Sequence, residues 1–231
     1  MEEIIMAFFT VNKDKDQVKD YTGGGGFLGS TSGIFEVVIK NAVVVNNGTG
    51  GEYIDLVVDY NGNESTIIRA FPLTNNDGSE NSIGKDLFNK LAIVCELDGE
   101  LHLEPKEFAY GIDKTVKEHY CIEELADCPV VLQIKRRFSW YEKKGEISMN
   151  VIVTNVFRTE DNASPGEIVN ETEVGKQYEI SLKYASKDKL DKGVTQEQVD
   201  EFLANRGKKS SEPKDNKPKQ GFSTRFSKKS S

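Results

Sequence analysis

A short run of cations and aromatic rings stands out between residues 135 and 144. The residues of this run are Lys135, Arg136, Arg137, Trp140, Tyr141, Lys143 and Lys144. Binding sites for single-stranded nucleic acid combine these residue types, because cations contact the phosphates and aromatic faces stack on bases of any identity. We therefore predict that these side chains form a local nucleic-acid-binding site.

The element that carries them reads as a β-hairpin, VVLQIKRRFSWYEKKGEISMNVIVTNVFR, over residues 130–158. A strand sends alternate side chains to opposite faces, so Lys135, Arg137 and Tyr141 are expected to share an outward face. Phe138 and Trp140 belong to the other set and are expected in the core or at its rim. A merely solvated sheet edge is the alternative, because aromatic residues favour strands in any protein.

Three strands and a helix precede the hairpin. IFEVVIKNAVVVNN, EYIDLVVDY and STIIRAFPL are β-rich and separated by Asn- and Gly-rich turns, which predicts a meander from about 34 to 72. Tyr53 on the second strand, with Arg69 and Phe71 at the end of the third, is expected to extend the binding platform. SIGKDLFNKLAIVCEL opens on a Ser cap and predicts a helix whose buried stripe is Ile83, Leu87, Leu91 and Val94.

Five short strands with a helix inserted after the third is the order expected of a small closed barrel such as the OB-fold. We therefore predict a mainly β protein, with an OB-fold-like five-stranded barrel over 34–187. A plain sandwich or another α+β sheet is a less well-fitting alternative. Residues 1–33 are predicted to be a flexible, Gly-rich segment.

The region after Arg158 has a weaker periodicity of apolar residues. TEDNASPGEIVNETEVG is predicted to be loop and QYEISLKY one further strand. Residues 188–207 are predicted to hold a short helix, TQEQVDEFLANRG. The tail, 208–231, has little to bury and is predicted to be disordered.

The charge distribution argues against binding nucleic acid through bulk charge. The chain of 231 residues has a net charge of −8, although residues 205–231 carry seven Lys and two Arg against two acids, a net of +7. The remainder therefore holds −15, and any anion site must be a local patch. No apolar run is long enough for a membrane span, and the acidic N-terminus lacks the positive charge of a signal peptide. We expect a cytoplasmic protein without a membrane partner.

The sequence contains little evidence for a metal site or for a catalytic site. Cys95, His102, His119, Cys121 and Cys128 supply zinc-ligand chemistry, yet no pair has the usual knuckle spacing, and buried thiols are the preferred interpretation. No common catalytic motif is visible. We predict neither a metal, a cofactor nor an enzymatic activity.

The stretches GIFEVVIKNAVVVNNGTGGEYIDLVVDY, GKDLFNKLAIVC and NVFR, taken in their order, resemble phage-encoded single-stranded DNA-binding proteins. The resemblance covers roughly 30–160 and rests on element order. It implies an OB-fold that coats single strands during replication, recombination or repair in the bacterial host cell. It also suggests phage or host replication and recombination proteins as partners, and it leaves self-association open.

One departure from this family is the basic tail, since many of its members end in an acidic tail that recruits partners. The tail is expected to add salt-sensitive affinity or to present Phe222 and Phe226 to a protein. The alternative function is a protein-interaction adaptor or recombination accessory that does not bind DNA directly.

Overall fold

The computed structural model describes residues 8–13, 31–46, 48, 50–75, 77–110, 115–142 and 144–206. These residues form a mainly β structure with a large sheet and a few helices. In chain order the elements are β1 (Phe9–Thr10), β2 (Gly33–Asn46), β3 (Glu52–Tyr60), β4 (Asn63–Pro72), α1 (Ser82–Val94), β5 (Glu100–Leu101), β6 (Leu103–Ala109), β7 (Val116–Ile122), β8 (Cys128–Tyr141), β9 (Glu146–Phe157), α2 (Pro165–Asn170), α3 (Lys176–Tyr184), β10 (Lys189–Leu190) and α4 (Gln196–Arg206).

An antiparallel ladder forms the centre of the structure, in the order β9–β8–β2–β3–β4. β2 pairs through its first half with β8 and through its second half with β3, and its Val43 also pairs with Cys121 of β7. The register of β2 against β3 shifts between Ile39 and Asn41, where the strand changes partner. Such an irregularity bends a strand, and the bend turns both halves of the sheet around one core.

The core lies on the inner face of this curved sheet. Alternate residues of β2, β3 and β4 point into it, including Ile39, Leu56 and Phe71, all without exposed surface. This is the pattern that the strand period of two produces when one face is buried.

Helix α1 packs on the open side of the curved sheet, against both β4 and β9. Its buried face includes Phe88 and Leu91. The Asn81 side chain, and not the predicted Ser, caps it by accepting a hydrogen bond from the Gly84 backbone N–H at 2.9 Å. Ile83, predicted in the buried stripe, is instead 72% exposed. The first turn meets β4 at its last residue, Pro72, through Gly84, and Ile83 lies beside this contact and not on it.

β4 and β9 are neighbours without being joined. Their Cα atoms approach within 8 Å, yet no ladder connects them. The continuous closed barrel predicted from the sequence is therefore not formed. The sheet stays open along the line between these two strands, and α1 fills only part of the gap.

The chain after β9 also differs from the prediction. α2 lies within the stretch predicted to be loop, and QYEISLKY forms helix α3 and not a strand. Ser164 and Glu167 form a capping box at the start of α2. The buried Glu167 carboxylate also accepts the backbone N–H groups of Gly175 and Gln177, which ties the start of α3 to α2.

The described part of the N-terminal segment is ordered by contact with α1. β1 pairs with β5, and Phe9 packs edge-on against Phe88 with ring centroids 4.9 Å apart. Asn12 exchanges backbone hydrogen bonds with the Asn89 side chain. Residues 8–13 thus depart from the flexible segment predicted for 1–33, whereas the predicted glycine run lies outside the described residues.

The chain divides into two compact units after Val194. Helix α4 belongs to the second unit and occupies the stretch predicted to be helical. The predicted disordered tail lies outside the described residues. None of the helices in the described ranges has the length and apolar character needed to cross a membrane.

Gly84 allows α1 to approach β4 closely, because a Cβ at this position would overlap the Pro72 carbonyl. We expect Gly84→Ala to lower the free energy of unfolding by about 1–3 kcal/mol through overpacking. Ile83→Ala, one position away on the exposed side, is expected to change it by less than about 0.5 kcal/mol. Chemical denaturation followed by far-UV circular dichroism measures both, and equal stability of the two variants would contradict the close approach.

Candidate nucleic-acid interface

A groove of about 1240 Å³ runs along the gap between β4 and β9. Tyr53 and Arg69 line it from the β3–β4 side, and Arg137 lines it from the hairpin of β8 and β9. These three residues were all predicted site residues, and the fold brings them together from distant parts of the chain. Ile68, nearly half exposed, adds an apolar surface between them.

The position of Arg69 depends on a bulge in β4. The β3–β4 register shifts between Ile54 and Leu56, and Arg69 opposite has a positive φ of 53°. The Asp55 carboxylate accepts the Arg69 backbone N–H at 2.6 Å, which supports this left-handed conformation. The Arg69 guanidinium lies 4.8 Å from the centroid of the Tyr53 ring, a cation–π arrangement. The bulge therefore places a cation and an aromatic face side by side.

Asp55 is almost fully buried beneath this pair. Burial raises its pKa, and the hydrogen bonds from the Arg69 backbone and the Tyr110 hydroxyl only partly offset that rise. Burial likewise raises the pKa of Tyr110, with the neighbouring Asp55 charge adding to it. Tyr110 also packs against His119, with ring centroids 4.6 Å apart, so the β6–β7 hairpin supports the outer face of β3.

Arg137 already has an anionic partner within the chain. Its Nε lies 2.9 and 3.0 Å from the two carboxylate oxygens of Asp191, and its terminal nitrogen lies 2.8 Å from one of them. Asp191 is held there because β10 runs parallel to β8 and the Asp191 N–H donates to the Phe138 carbonyl. The Arg137 side chain is about half exposed, so the pair lies where solvent and ligand reach it.

Arg136 points to the other face and makes a more buried pair. Its Nε donates to Asp188 at 3.0 Å and a terminal nitrogen lies 2.5 Å from the second carboxylate oxygen. The Arg136 guanidinium also lies 5.6 Å from the Phe138 ring centroid. This pair is better suited to anchoring residues 188–190 than to meeting a phosphate, which corrects the role predicted for Arg136.

Two further predicted site residues are covered by other parts of the chain. Lys135 is only 6% exposed, and its ammonium donates to the Tyr184 carbonyl at 2.9 Å. Burial lowers the pKa of Lys135. Phe71 has no exposed surface and its ring packs against Phe88 in the core, so it has no face free for stacking a base.

The outward face of β8 is divided by helix α3. Gln133 donates to the Ser181 carbonyl at 3.0 Å and accepts from Asn155 at 2.8 Å, all beneath the helix. Beyond Lys135 the helix no longer covers this face of β8. Arg137, Ser139 and Tyr141 are therefore exposed or partly exposed, as predicted for the outward face.

The tip of the β8–β9 hairpin presents aromatic rings on both faces. Trp140 is 49% exposed and Tyr141 is 41% exposed. The Lys144 ammonium lies 5.7 Å from the Tyr141 ring centroid and 3.7 Å from Glu146. Tyr141 shares the strand face of Arg137 and lies about 13 Å further along the strand. Lys143, the remaining predicted site residue, lies outside the described residues.

Three residues of the interface were not predicted as part of it: Asp55, Asp188 and Asp191. The alternation of Lys and Asp in KDKLDK, residues 187–192, suggests ion pairing but does not identify the partner residues. Their partners lie more than fifty residues earlier in the chain, apart from Asp55, whose partner is fourteen residues later. Only the fold connects them.

The cysteine and histidine residues do not converge. His102 hydrogen-bonds Glu124 at 2.8 Å, and the Cys121 thiol donates to the His119 carbonyl. Cys95 and Cys128 contact each other, and the hydrogen bond between their thiols raises the pKa of Cys95 and lowers that of Cys128. Within the described part of the chain, no three His, Cys, Asp or Glu side chains are placed to hold a metal ion.

Comparison with known proteins adds no identification. No protein-family model matches the chain, and a search of curated proteins returns no match.

Asp55 makes a testable contribution to stability that depends on pH. Because burial raises its folded-state pKa, the folded chain binds this proton more tightly than the unfolded chain does. The cost of ionising Asp55 is absent below the ordinary value of 3.8 and complete above the raised pKa. We expect wild-type stability, relative to Asp55→Asn, to rise as the pH falls through that window, as measured by denaturation at a series of pH values.

Asp55→Ala removes the acceptor of two hydrogen bonds and is expected to cost about 1–3 kcal/mol. Asp98→Ala is the matched control, because the Asp98 side chain is largely exposed. If wild type and Asp55→Asn showed parallel stability curves over pH, Asp55 would not have a perturbed pKa.

Proposed function

We propose that the protein binds single-stranded DNA, largely independently of sequence, in the groove between β4 and β9. The observation that carries the proposal is the convergence of Tyr53, Arg69 and Arg137 on one groove. A guanidinium stacked on an aromatic ring, with a second guanidinium in the same groove, suits a base and its flanking phosphates. The net charge of −8 makes this group distinctive, since the surrounding surface is not generally basic.

The strand order supports an OB-fold as the framework. The order β9–β8–β2–β3–β4, with α1 inserted after the third strand of the five, is compatible with a partly open five-stranded Greek-key barrel. OB-folds bind oligonucleotides across the face of their middle strands and the adjoining loops. In this proposal β3 and β4 supply that face, with the tip of the β8–β9 hairpin at its margin.

The proposed role is non-enzymatic. A groove open to solvent and lined by stacking and charged groups protects an exposed strand without needing to read its bases. On the resemblance of the sequence to phage single-stranded DNA-binding proteins, we extend the proposal to a role in phage DNA replication, recombination or repair, in the cytoplasm of the bacterial host. Replication and recombination proteins are the proposed protein partners.

A protein-interaction adaptor is the second candidate, and one observation favours it. Three large apolar side chains of α3, Ile180, Leu182 and Tyr184, are between about one third and one half exposed. Exposed apolar side chains on one short helix suit a protein partner better than a polyanion. This candidate predicts no DNA binding even at low salt.

The direct test is titration of fluorescein-labelled oligo-dT with the full chain, followed by anisotropy at two salt concentrations. We expect binding that weakens steeply with salt, because bound cations release counterions from the strand. Arg137→Ala is expected to weaken binding and to reduce the slope of log K against log salt by about 0.7, the value for one phosphate contact on a single strand.

Lys40→Ala is the matched control, since Lys40 is also exposed and paired, with Asp127 at 2.7 Å, but lies outside the groove. Its salt slope should equal that of the wild type. Absence of binding at low salt would refute the DNA-binding proposal and favour the adaptor. Equal slopes for Arg137→Ala and Lys40→Ala would mean that the strand follows another face.

Asp191 competes with phosphate for Arg137 in this proposal. Asp191→Asn removes the charge but keeps the shape, and exposed pairs of this kind contribute about 0.2–1 kcal/mol. We therefore expect Asp191→Asn to bind oligo-dT up to about fivefold more tightly at low salt.

The same exchange made in an Arg137→Ala background should have a smaller effect, because the arginine that it releases is absent. The four dissociation constants form a double-mutant cycle. Strictly additive effects would show that Asp191 acts through general charge and not through Arg137.

A further inference from the structure

A second cavity of about 790 Å³ continues the groove toward the first turn of α1. The two share Arg69, Arg137 and Ile152 as lining residues. The far wall of the second cavity is formed by Pro72 and the first turn of α1. Because Gly84 has no Cβ, this turn packs directly on the Pro72 backbone, which brings α1 to the end of the groove.

The lining of this cavity combines an apolar floor with a cationic rim. Ala70, Pro72, Leu87 and Ile152 contribute apolar surface. The charged lining residues are Arg69, Lys135, Arg137, Lys189 and Asp188. Asp188 is engaged by Arg136 and Arg137 is engaged by Asp191, so the positive charge of the rim comes chiefly from Arg69, Lys135 and Lys189.

The buried Lys135 ammonium lines this cavity and can serve as part of its anion-binding rim. The Tyr184 carbonyl accepts one hydrogen bond from the ammonium, which has three N–H groups to donate. A buried cation is costly unless it is paired, and burial does lower the pKa of Lys135. An anion on this rim would offset that cost.

Ile83 lies at the mouth of the cavity and is 72% exposed, more than any other large apolar side chain among the described residues. Its exposure on the first turn of α1 leaves an apolar surface at the entrance to the cavity. A base lying against Ile83 and Pro72 would cover this surface while its phosphate met the cationic rim. The volume is within the roughly 300–1,000 Å³ of cavities that enclose small ligands.

We infer that the second cavity holds a further nucleotide of the bound strand, which thus runs from the β3–β4 turn along β4 to the first turn of α1. The inference rests on the proposed function and adds to it a path and an end point. The first groove alone would serve short oligonucleotides, and the second cavity would contribute only when the strand is long enough to reach it.

The test measures the affinity of oligo-dT of increasing length, from about 4 to about 16 nucleotides, the range of sites found for OB-folds. For wild type we expect affinity to rise with length until both cavities are filled. Ile83→Glu places a carboxylate at the mouth of the second cavity. It should leave the shortest binding oligonucleotides unaffected and weaken longer ones at least about fivefold, because the carboxylate repels the phosphate at this end of the strand.

Two variants control for charge and for folding. Val174→Glu makes the same exchange at another exposed apolar residue, between α2 and α3, and should match wild type at every length. Ile83→Lys should retain the affinity for long oligonucleotides at low salt, because its charge is complementary to phosphate. Loss with both Ile83 variants at every length would indicate a structural effect and would overturn the inference.

The outcomes separate the inference from the function on which it rests. If wild type binds oligo-dT and Ile83→Glu follows the same length dependence, the second cavity is not used, although the groove is. If wild type binds no oligonucleotide at any length, the proposed function fails and the inference fails with it.

Discussion

The unjoined edges of β4 and β9 determine the rest of this structure. Two neighbouring strands that form no ladder leave backbone groups exposed to solvent, which proteins usually avoid or protect. Here α1 covers one part of the gap and packs on both strands. The bulge at Arg69 twists β4 in the other part, and the Asp55 carboxylate satisfies the amide that the bulge releases. A groove therefore remains where a regular fifth ladder, joining β4 to β9, would have closed the sheet.

The same bulge connects the fold to the proposed chemistry. A left-handed conformation at a residue other than glycine costs free energy and persists only where its surroundings support it. At Arg69 the support comes from Asp55, which is itself buried at a cost to its ionised form. The result is a guanidinium held against the Tyr53 ring at the groove surface. A regular strand would have directed the side chain differently and left the tyrosine alone.

Two adjacent arginines of β8 form ion pairs that differ in burial and therefore in how readily they can be exchanged for a phosphate. Arg136 and Arg137 are adjacent in sequence and each meets an aspartate of the segment after α3. The Arg136–Asp188 pair is largely buried, and breaking a pair of that kind leaves an uncompensated charge. The Arg137–Asp191 pair is half exposed, and pairs of that kind contribute little. Only the second is therefore exchangeable with a phosphate at small cost.

Several features were predictable from the sequence because they depend on short-range patterns. The strands of the meander, helix α1 and the long hairpin follow from alternation and from three- and four-residue spacing. The capping box of Ser164 and Glu167 was also readable, yet the surrounding polar residues favoured a loop. QYEISLKY places apolar residues at every second position, which suggests a strand, although three of these four side chains remain exposed on α3.

The remaining features depend on contacts between distant segments. Lys135 has the spacing of an outward residue, and only the placement of α3 above β8 buries it. Phe71 and Tyr53 lie on neighbouring strands with similar composition, and the pairing decides which ring faces the core, since Phe71 lies opposite the buried Ile54 and Tyr53 is the next residue of β3 on the other face. Ile83 fits a buried stripe by spacing alone, and the end of β4 at Pro72 exposes it.

The two faces of the β8–β9 hairpin also bear on how a strand would leave the groove. Arg137 and Tyr141 lie on one face, and Trp140 lies on the other. A strand that follows the cations passes Tyr141 and not Trp140, so the single tryptophan reports on contacts at the hairpin tip and not on occupancy of the groove. Because the Lys144 ammonium already lies over the Tyr141 ring, stacking on that ring requires the lysine to move toward a phosphate. The hairpin tip is thus a secondary margin, and the groove between β4 and β9 is where cations, aromatic surface and an open sheet edge coincide.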